Sequence, residues 1–105
     1  MHIMIVNFSV KGIEEVEYFS LCDQLAPAFA EQPGLIAKTW LADSQTNTYG
    51  GVYVWENQQA MEKFKSTDLF NSVATHPNLH NISVRDFCVV NEPTKITRGY
   101  MRAVA

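Results

Sequence analysis

Residues 33–57, Pro33-Gly34-Leu35-Ile36-Ala37-Lys38-Thr39-Trp40-Leu41-Ala42-Asp43-Ser44-Gln45-Thr46-Asn47-Thr48-Tyr49-Gly50-Gly51-Val52-Tyr53-Val54-Trp55-Glu56-Asn57, decide how the chain folds. Two runs rich in β-branched and aromatic residues, Leu35–Ala42 and Thr48–Trp55, flank the polar segment 43–47. That pattern predicts a β-hairpin. In the first arm Leu35, Ala37, Thr39 and Leu41 share one face, and Ile36, Lys38 and Trp40 share the other. In the second arm Val52 and Val54 oppose Tyr53 and Trp55. Both faces are substantially apolar, so a layer of helices on one side leaves greasy surface on the other. A partner subunit is the simplest cover. Gly50 and Gly51 lie inside the second arm, where strands avoid glycine. They point to a bulge, or to close approach of another backbone or a flat ligand.

Working outward, His2–Phe8 is short, apolar and β-rich and reads as a first strand. Asn7 shares the parity of Ile3 and Ile5. Its amide is either bonded to a neighbouring backbone or placed to hold a ligand oxygen. Glu14, Glu15 and Glu17 crowd the start of a helix, where carboxylates suit the dipole. Tyr18, Leu21, Cys22, Leu25 and Phe29 then form its apolar stripe. Pro27 predicts a kink or an end nearby, and Pro33-Gly34 a full stop. Beyond the hairpin, Asn57 is a plausible cap for a helix carrying Ala60, Met61 and Phe64. Residues 66–68 begin a second short helix with Leu69, Phe70 and Val73, ending before Pro77. Asn81–Asn91 reads as a fourth strand with Ile82, Val84, Asp86, Cys88 and Val90 on one face. Asp86 among apolar neighbours needs a partner to stay ionised.

The order β-α-β-β-α-α-β predicts an α+β, ferredoxin-like split β-α-β fold with a four-stranded antiparallel sheet and helices on one face. One domain spans residues 1–92. Residues 93–105 form a C-terminal tail without clear period, either loose or an arm on the partner subunit.

Composition narrows the function. A chain of 105 residues with 47% hydrophobic residues is long enough for one packed core and too apolar for disorder. Eight Lys and Arg against eleven Asp and Glu give a net charge of −3, with no basic surplus for a phosphate backbone, so nucleic-acid binding is disfavoured. No apolar run is long enough to span a bilayer, and the first residues lack a signal-peptide pattern. Cys22 and Cys88 are far apart and read as reduced, which with the preceding points predicts a cytoplasmic protein.

The motifs Pro33-Gly34-x-x-x-Lys38-x-Trp40, Gly50-Gly51-x-Tyr53 and Phe87-x-Val89-x-Asn91-Glu92-Pro93 together resemble the YdhR-type monooxygenase family of the dimeric α+β barrel superfamily. The family's activity is assigned by analogy. The resemblance implies a homodimer whose sheets meet face to face, with a pocket in each subunit between sheet and helices. Superfamily members of known activity include quinol monooxygenases that use neither metal nor flavin. Haem-degrading members use an asparagine on the first strand, with a tryptophan and a histidine in the second helical region. Asn7 matches the first, but Phe64 stands at the tryptophan position. The histidine position falls near Ala74, with His76 two residues on beside a proline. That departure argues against haem ligation.

Cofactor-free oxygenation needs an apolar slot, an anchor for a substrate oxygen and a base. Trp40, Tyr53, Trp55 and Phe64 are the candidate slot, set against a role in core or interface packing. Asn7 or Tyr53 is the candidate anchor, and His76 or Asp86 the candidate base. His76 also suits a helix end, and Asp86 a cross-sheet ion pair with lysine or arginine. His76 and His80 have no further ligands to complete a zinc set, so neither a metal nor another cofactor is expected. The expected function is a homodimeric, cofactor-independent monooxygenase acting on a small phenol- or quinol-like aromatic. The alternatives are a non-catalytic carrier or sensor using the same pocket, and a pure dimerisation module.

Overall fold

The hairpin forms as two strands, β2 (Leu35–Asp43) and β3 (Thr48–Trp55), paired antiparallel with Lys38 opposite Tyr53 and Trp40 opposite Gly51. In this computed structural model, which describes residues 1–99, β3 also pairs antiparallel with β1 (His2–Val10). The outer side of β1 is taken by β4 (Leu79–Cys88), again antiparallel, giving the sheet order β2-β3-β1-β4. This is the ferredoxin-like α+β arrangement.

Register decides which face is covered. Opposed residues share a face, so His2, Met4, Val6 and Phe8 of β1 align with Trp55, Tyr53, Gly51 and Tyr49 of β3. All eight are buried. The other parity, with Ile3, Ile5 and Asn7, is only partly buried and forms the uncovered side of the sheet. Asn7 lies there, opposite Gly50 and Ser83.

Over the buried face runs α1 (Glu15–Ala30), opened by a capping box in which Glu14 and Glu17 satisfy each other's backbone donors. Pro27 sits inside this helix, which continues to Ala30 instead of ending at the proline. The lost donor would have served only the Asp23 carbonyl. Two short helices follow β3. α2 (Gln58–Lys65) is capped by the Asn57 side chain accepting from the Ala60 amide at 2.8 Å. α3 (Asp68–Ala74) is capped by the Thr67 hydroxyl accepting from the Phe70 amide at 3.2 Å. Phe29 of α1 and Phe64 of α2 meet Tyr53 across ring-centroid distances of 6.1 and 5.6 Å, fastening both helices to the hairpin.

The glycine pair makes no bulge. The register shifts lie elsewhere, between Asn7 and Ser9 and between Leu35 and Ala37. At Gly50, with φ of +149°, an added Cβ would stand 1.8 Å from the Val6 carbonyl oxygen, so backbone proximity demands glycine. At the hairpin tip, Asn47 adopts φ of +51°, and its side chain bonds both backbone polar groups of Val10.

The fourth strand begins two residues earlier than the apolar run suggests, and Asn91–Ile96 forms a short helix, α4, across the expected domain boundary. Residues 100–105 of the expected tail lie outside the described residues. Among the described residues no helix is long and apolar enough to cross a membrane.

Candidate functional site

Between the sheet and α1 lies a cavity whose shape follows from the hairpin register. Its floor is Val6, Gly51 and Tyr53, and α1 roofs it with Tyr18, Cys22, Leu25 and Phe29. Lys38 and Trp40 close the β2 side, while Val73 and Leu79 close the far end. The space open to the centre of a water molecule is about 30 Å³. About 10–15 Å³ on that measure admits one water, so the cavity is real but small. Beside it an outer cleft of about 310 Å³, lined by Phe19, Asp23 and Leu41, shares the walls Tyr18, Cys22 and Trp40.

The distinctive group here is a lysine. Lys38 points inward because it has the parity of Trp40 and lies opposite Tyr53. Its Nζ sits 3.4 Å from the ring centroids of both Phe29 and Trp40, and 4.6 Å from that of Tyr53. These are cation–π distances, favourable by about 0.5–2 kcal/mol each in general. Among the described residues Lys38 makes no ion pair. Gly51 leaves it room, since a Cβ there would come within 2.8 Å of Lys38 Cε and 3.2 Å of the Thr39 carbonyl oxygen. Burial pulls the amine down from its ordinary value of 10.5 to about 7, only partly opposed by the Cys22 thiol.

The other polar atoms facing this space are held neutral. Burial, then the neighbouring Cys22 thiol, raise the Tyr18 hydroxyl far above the usual phenol range. Burial alone does the same for Tyr53. Burial also pushes the Cys22 thiol up, against the Tyr18 hydroxyl and the Lys38 charge. The cavity thus offers aromatic faces, three neutral polar side chains and one amine that can hold or release a proton near pH 7.

Of the residues singled out from sequence, Trp40 and Tyr53 line this cavity, but Trp55 and Phe64 do not. Trp55 is fully buried behind it, stacked on Tyr53 at 6.0 Å and packed on Phe64 at 5.1 Å. Phe64 fills the space between α1, α2 and the hairpin. Both serve the core. Asn7 is on the opposite side of the sheet. His76 follows α3, where its Nδ1 accepts from the Asn78 amide at 3.1 Å, in a shallow cleft with Glu17 and Gln24. Asp86 is on the helix-covered face, bonded at 2.6 Å to Nε2 of buried His2, not to a lysine or arginine. None of the three reaches the cavity.

Lys38, Tyr18, Cys22 and Phe29 line the cavity although the sequence reading gave them no part in a site: Lys38 stood only within a motif, and the other three only as helix packing. The available signal was parity: a lone lysine on the face of Trp40, in a hairpin whose opposite arm puts Tyr53 alongside. No histidine lines the cavity, and with its small free volume the site does not fit haem. Among the described residues no three His, Cys, Asp or Glu side chains gather into a group able to hold a metal ion.

The family model described as "Putative mono-oxygenase ydhR" matches residues 3–100. No curated protein matches the chain. Among solved structures, MhuD of Mycobacterium tuberculosis, a haem degrader with two haems bound in its active site, superposes with a TM-score of 0.69 at 21% identity, covering 86% of this chain and 96% of that one. SnoaB of Streptomyces nogalater, a cofactor-independent oxygenase, gives 0.67 at 24% identity, covering 84% and 92%. An antibiotic biosynthesis monooxygenase gives 0.69 at 15% identity, covering 86% and 99%. At these identities the likeness is one of fold.

Proposed function

Since the chain belongs to the ydhR family, we propose that it is a cofactor-independent monooxygenase that takes a small, single-ring phenol- or quinol-like compound into the space between the hairpin and α1. The observation that carries this reading is the cavity itself, walled by Phe29, Trp40 and Tyr53 and containing one unpaired amine. Flat aromatic walls favour a flat aromatic guest. The inner cavity is too small for a ring, so the ring lies in the outer cleft of about 310 Å³ along Trp40 and Tyr18, with its oxygen toward the inner space.

The chemistry balances without a further reductant. An ionised phenol or quinol is electron-rich and passes electrons to dioxygen. One oxygen atom enters the ring compound, and the other leaves as water with the substrate's own two hydrogens. The chain's part is to exclude water, orient the ring and hold the ionised oxygen. The uncovered face of the sheet, with Ile3, Ile5, Val52 and Val54, packs against a second copy, making the working unit a homodimer.

Oxygen consumption tests the reading. Stoichiometric uptake with a panel of monocyclic hydroquinones, without flavin or metal, is the expected result. Uptake that starts only on adding flavin would overturn the cofactor-free mechanism. The second reading, a carrier or sensor using the same space, is favoured by a cavity wall that has neither an imidazole nor a carboxylate. It predicts a saturable ligand-dependent rise in melting temperature with no turnover.

A further inference from the structure

This inference rests on the reading of the cavity just given and specifies what its ligand must carry. We propose that Lys38 selects the ligand by taking the proton of an acidic aromatic hydroxyl, a phenol or enol, and holding the resulting oxyanion within the cage of Phe29, Trp40 and Tyr53.

A lysine on a sheet face ordinarily extends its ammonium to water or meets a carboxylate. Lys38 is half-buried and meets no carboxylate among the described residues, and its Nζ is wedged between two rings at 3.4 Å. The groups facing it are Tyr18 and Cys22 from α1 and Tyr53 from β3, all neutral at pH 7, with Asp23 confined to the outer cleft. The cavity therefore contains a site for positive charge and no matching anion. Gly51 adds a second observation. A side chain there would collide with Lys38 Cε, so the bare backbone at this point keeps the amine inside.

The proposed step is one proton transfer. The ligand's O–H bond breaks, an N–H bond forms at Nζ, and an ammonium–oxyanion pair remains with nothing else consumed. Ring faces stabilise the ammonium, and the low dielectric strengthens its attraction to the oxyanion. The amine's position near neutral lets it act as acceptor at physiological pH. The ionised ligand is also the form that reacts with dioxygen, so recognition and activation become the same event.

The test uses 4-nitrophenol, whose colour reports ionisation, and its methyl ether 4-nitroanisole, which has no proton to give. At pH 7, where free 4-nitrophenol is only partly ionised and the Lys38 amine is partly free to accept a proton, the wild-type chain should bind it with a wholly phenolate spectrum. Its preference over the ether should be about tenfold or more, equivalent to about 1.4 kcal/mol. Lys38→Met should bind both compounds alike, with a neutral phenol spectrum. Gly51→Ala, which keeps the amine but displaces it, should reduce the phenolate fraction of the 4-nitrophenol that remains bound. A neutral spectrum of 4-nitrophenol on the wild-type chain overturns the proposal, as does an unchanged preference in Lys38→Met. Should Lys38→Met fail to fold, the wild-type spectrum and Gly51→Ala decide alone. Equal binding of phenol and ether by the wild-type chain removes Lys38's role and leaves the aromatic cavity standing. Binding of neither compound removes both.

Discussion

Lys38 also leaves a signature in stability, independent of any ligand. Its amine is held near 7 in the folded chain and returns to 10.5 on unfolding. Between those values the unfolded chain binds more protons, so stability rises with pH through the window that opens at about 7. Above about 9 the opposite linkage enters. Cys22, Tyr18 and Tyr53 have raised values in the folded state, and their ionisation on unfolding, from ordinary values of 9.0 and 10.0, lowers stability as pH climbs. The clean measurement is therefore the difference between wild-type and Lys38→Met chains in urea at pH 7 and pH 9. Wild type should gain on the order of 1–2 kcal/mol relative to the variant over that interval, less than full burial would give because the side chain is only partly buried. Parallel profiles would mean that the amine reaches solvent and the cage is not its resting place.

Among the elements, the β2–β3 hairpin carries most of the information and most of the constraint. Gly50→Ala should cost about 3 kcal/mol or more, because its Cβ would meet the β1 backbone, which cannot withdraw without breaking the ladder. A loss of unfolding free energy below about 1 kcal/mol in urea titration would show that β1 can shift. Asn57→Ala, by contrast, removes only the 2.8 Å cap of α2 and should cost about 1 kcal/mol by the same assay. Trp55→Ala should act through the core, costing about 3–5 kcal/mol, since Trp55 is fully buried and absent from the cavity wall. The strands, caps and tandem helices were legible because each rests on local chemistry: Asn57 before an apolar stripe, Pro33-Gly34 before a β-run. The cavity was only half legible. Trp40 and Tyr53 stood out as aromatics, but so did Trp55 and Phe64, and composition cannot tell a ring at a wall from a ring behind it. Asp86 was rightly placed on an apolar face. Its partner, His2, comes from a strand 84 residues away in sequence, which no local pattern reveals. Lys38 was hidden because a charged residue in an edge strand ordinarily reads as solvent-facing.

For the whole molecule, the deciding question is what covers the second face of the sheet. Alternation showed that both faces were greasy but could not say which one the helices take, and the register answers it: the even positions of β1 are under α1. The uncovered side carries Ile3 and Ile5 at its centre, Val52 and Val54 beside them, and Phe87, which is 43% exposed, on β4. Arg85, opposite Ile5 with its guanidinium over the Phe87 ring, shares this face, so the surface is apolar around a cation. It calls for a partner of similar shape, and a stable dimer needs on the order of 1,000 Å² buried in total. Val52→Glu tests this without touching the cavity. Val52 is paired with Ile5 and Thr39 on the open side, so a carboxylate there remains hydrated in a single copy but would be stranded in a dry sheet-to-sheet contact. Wild-type chain should sediment at twice the subunit mass at micromolar concentration, and Val52→Glu at the subunit mass with its far-ultraviolet dichroism retained. Because the cavity opens on the helix side, the single-copy variant should still take up 4-nitrophenol. A wild-type chain that sediments as a single copy would leave the apolar face without an occupant and remove the homodimer from the proposed function. Loss of ligand binding in the dissociated variant would instead mean that the second copy holds the hairpin, and with it the Lys38 cage, in shape.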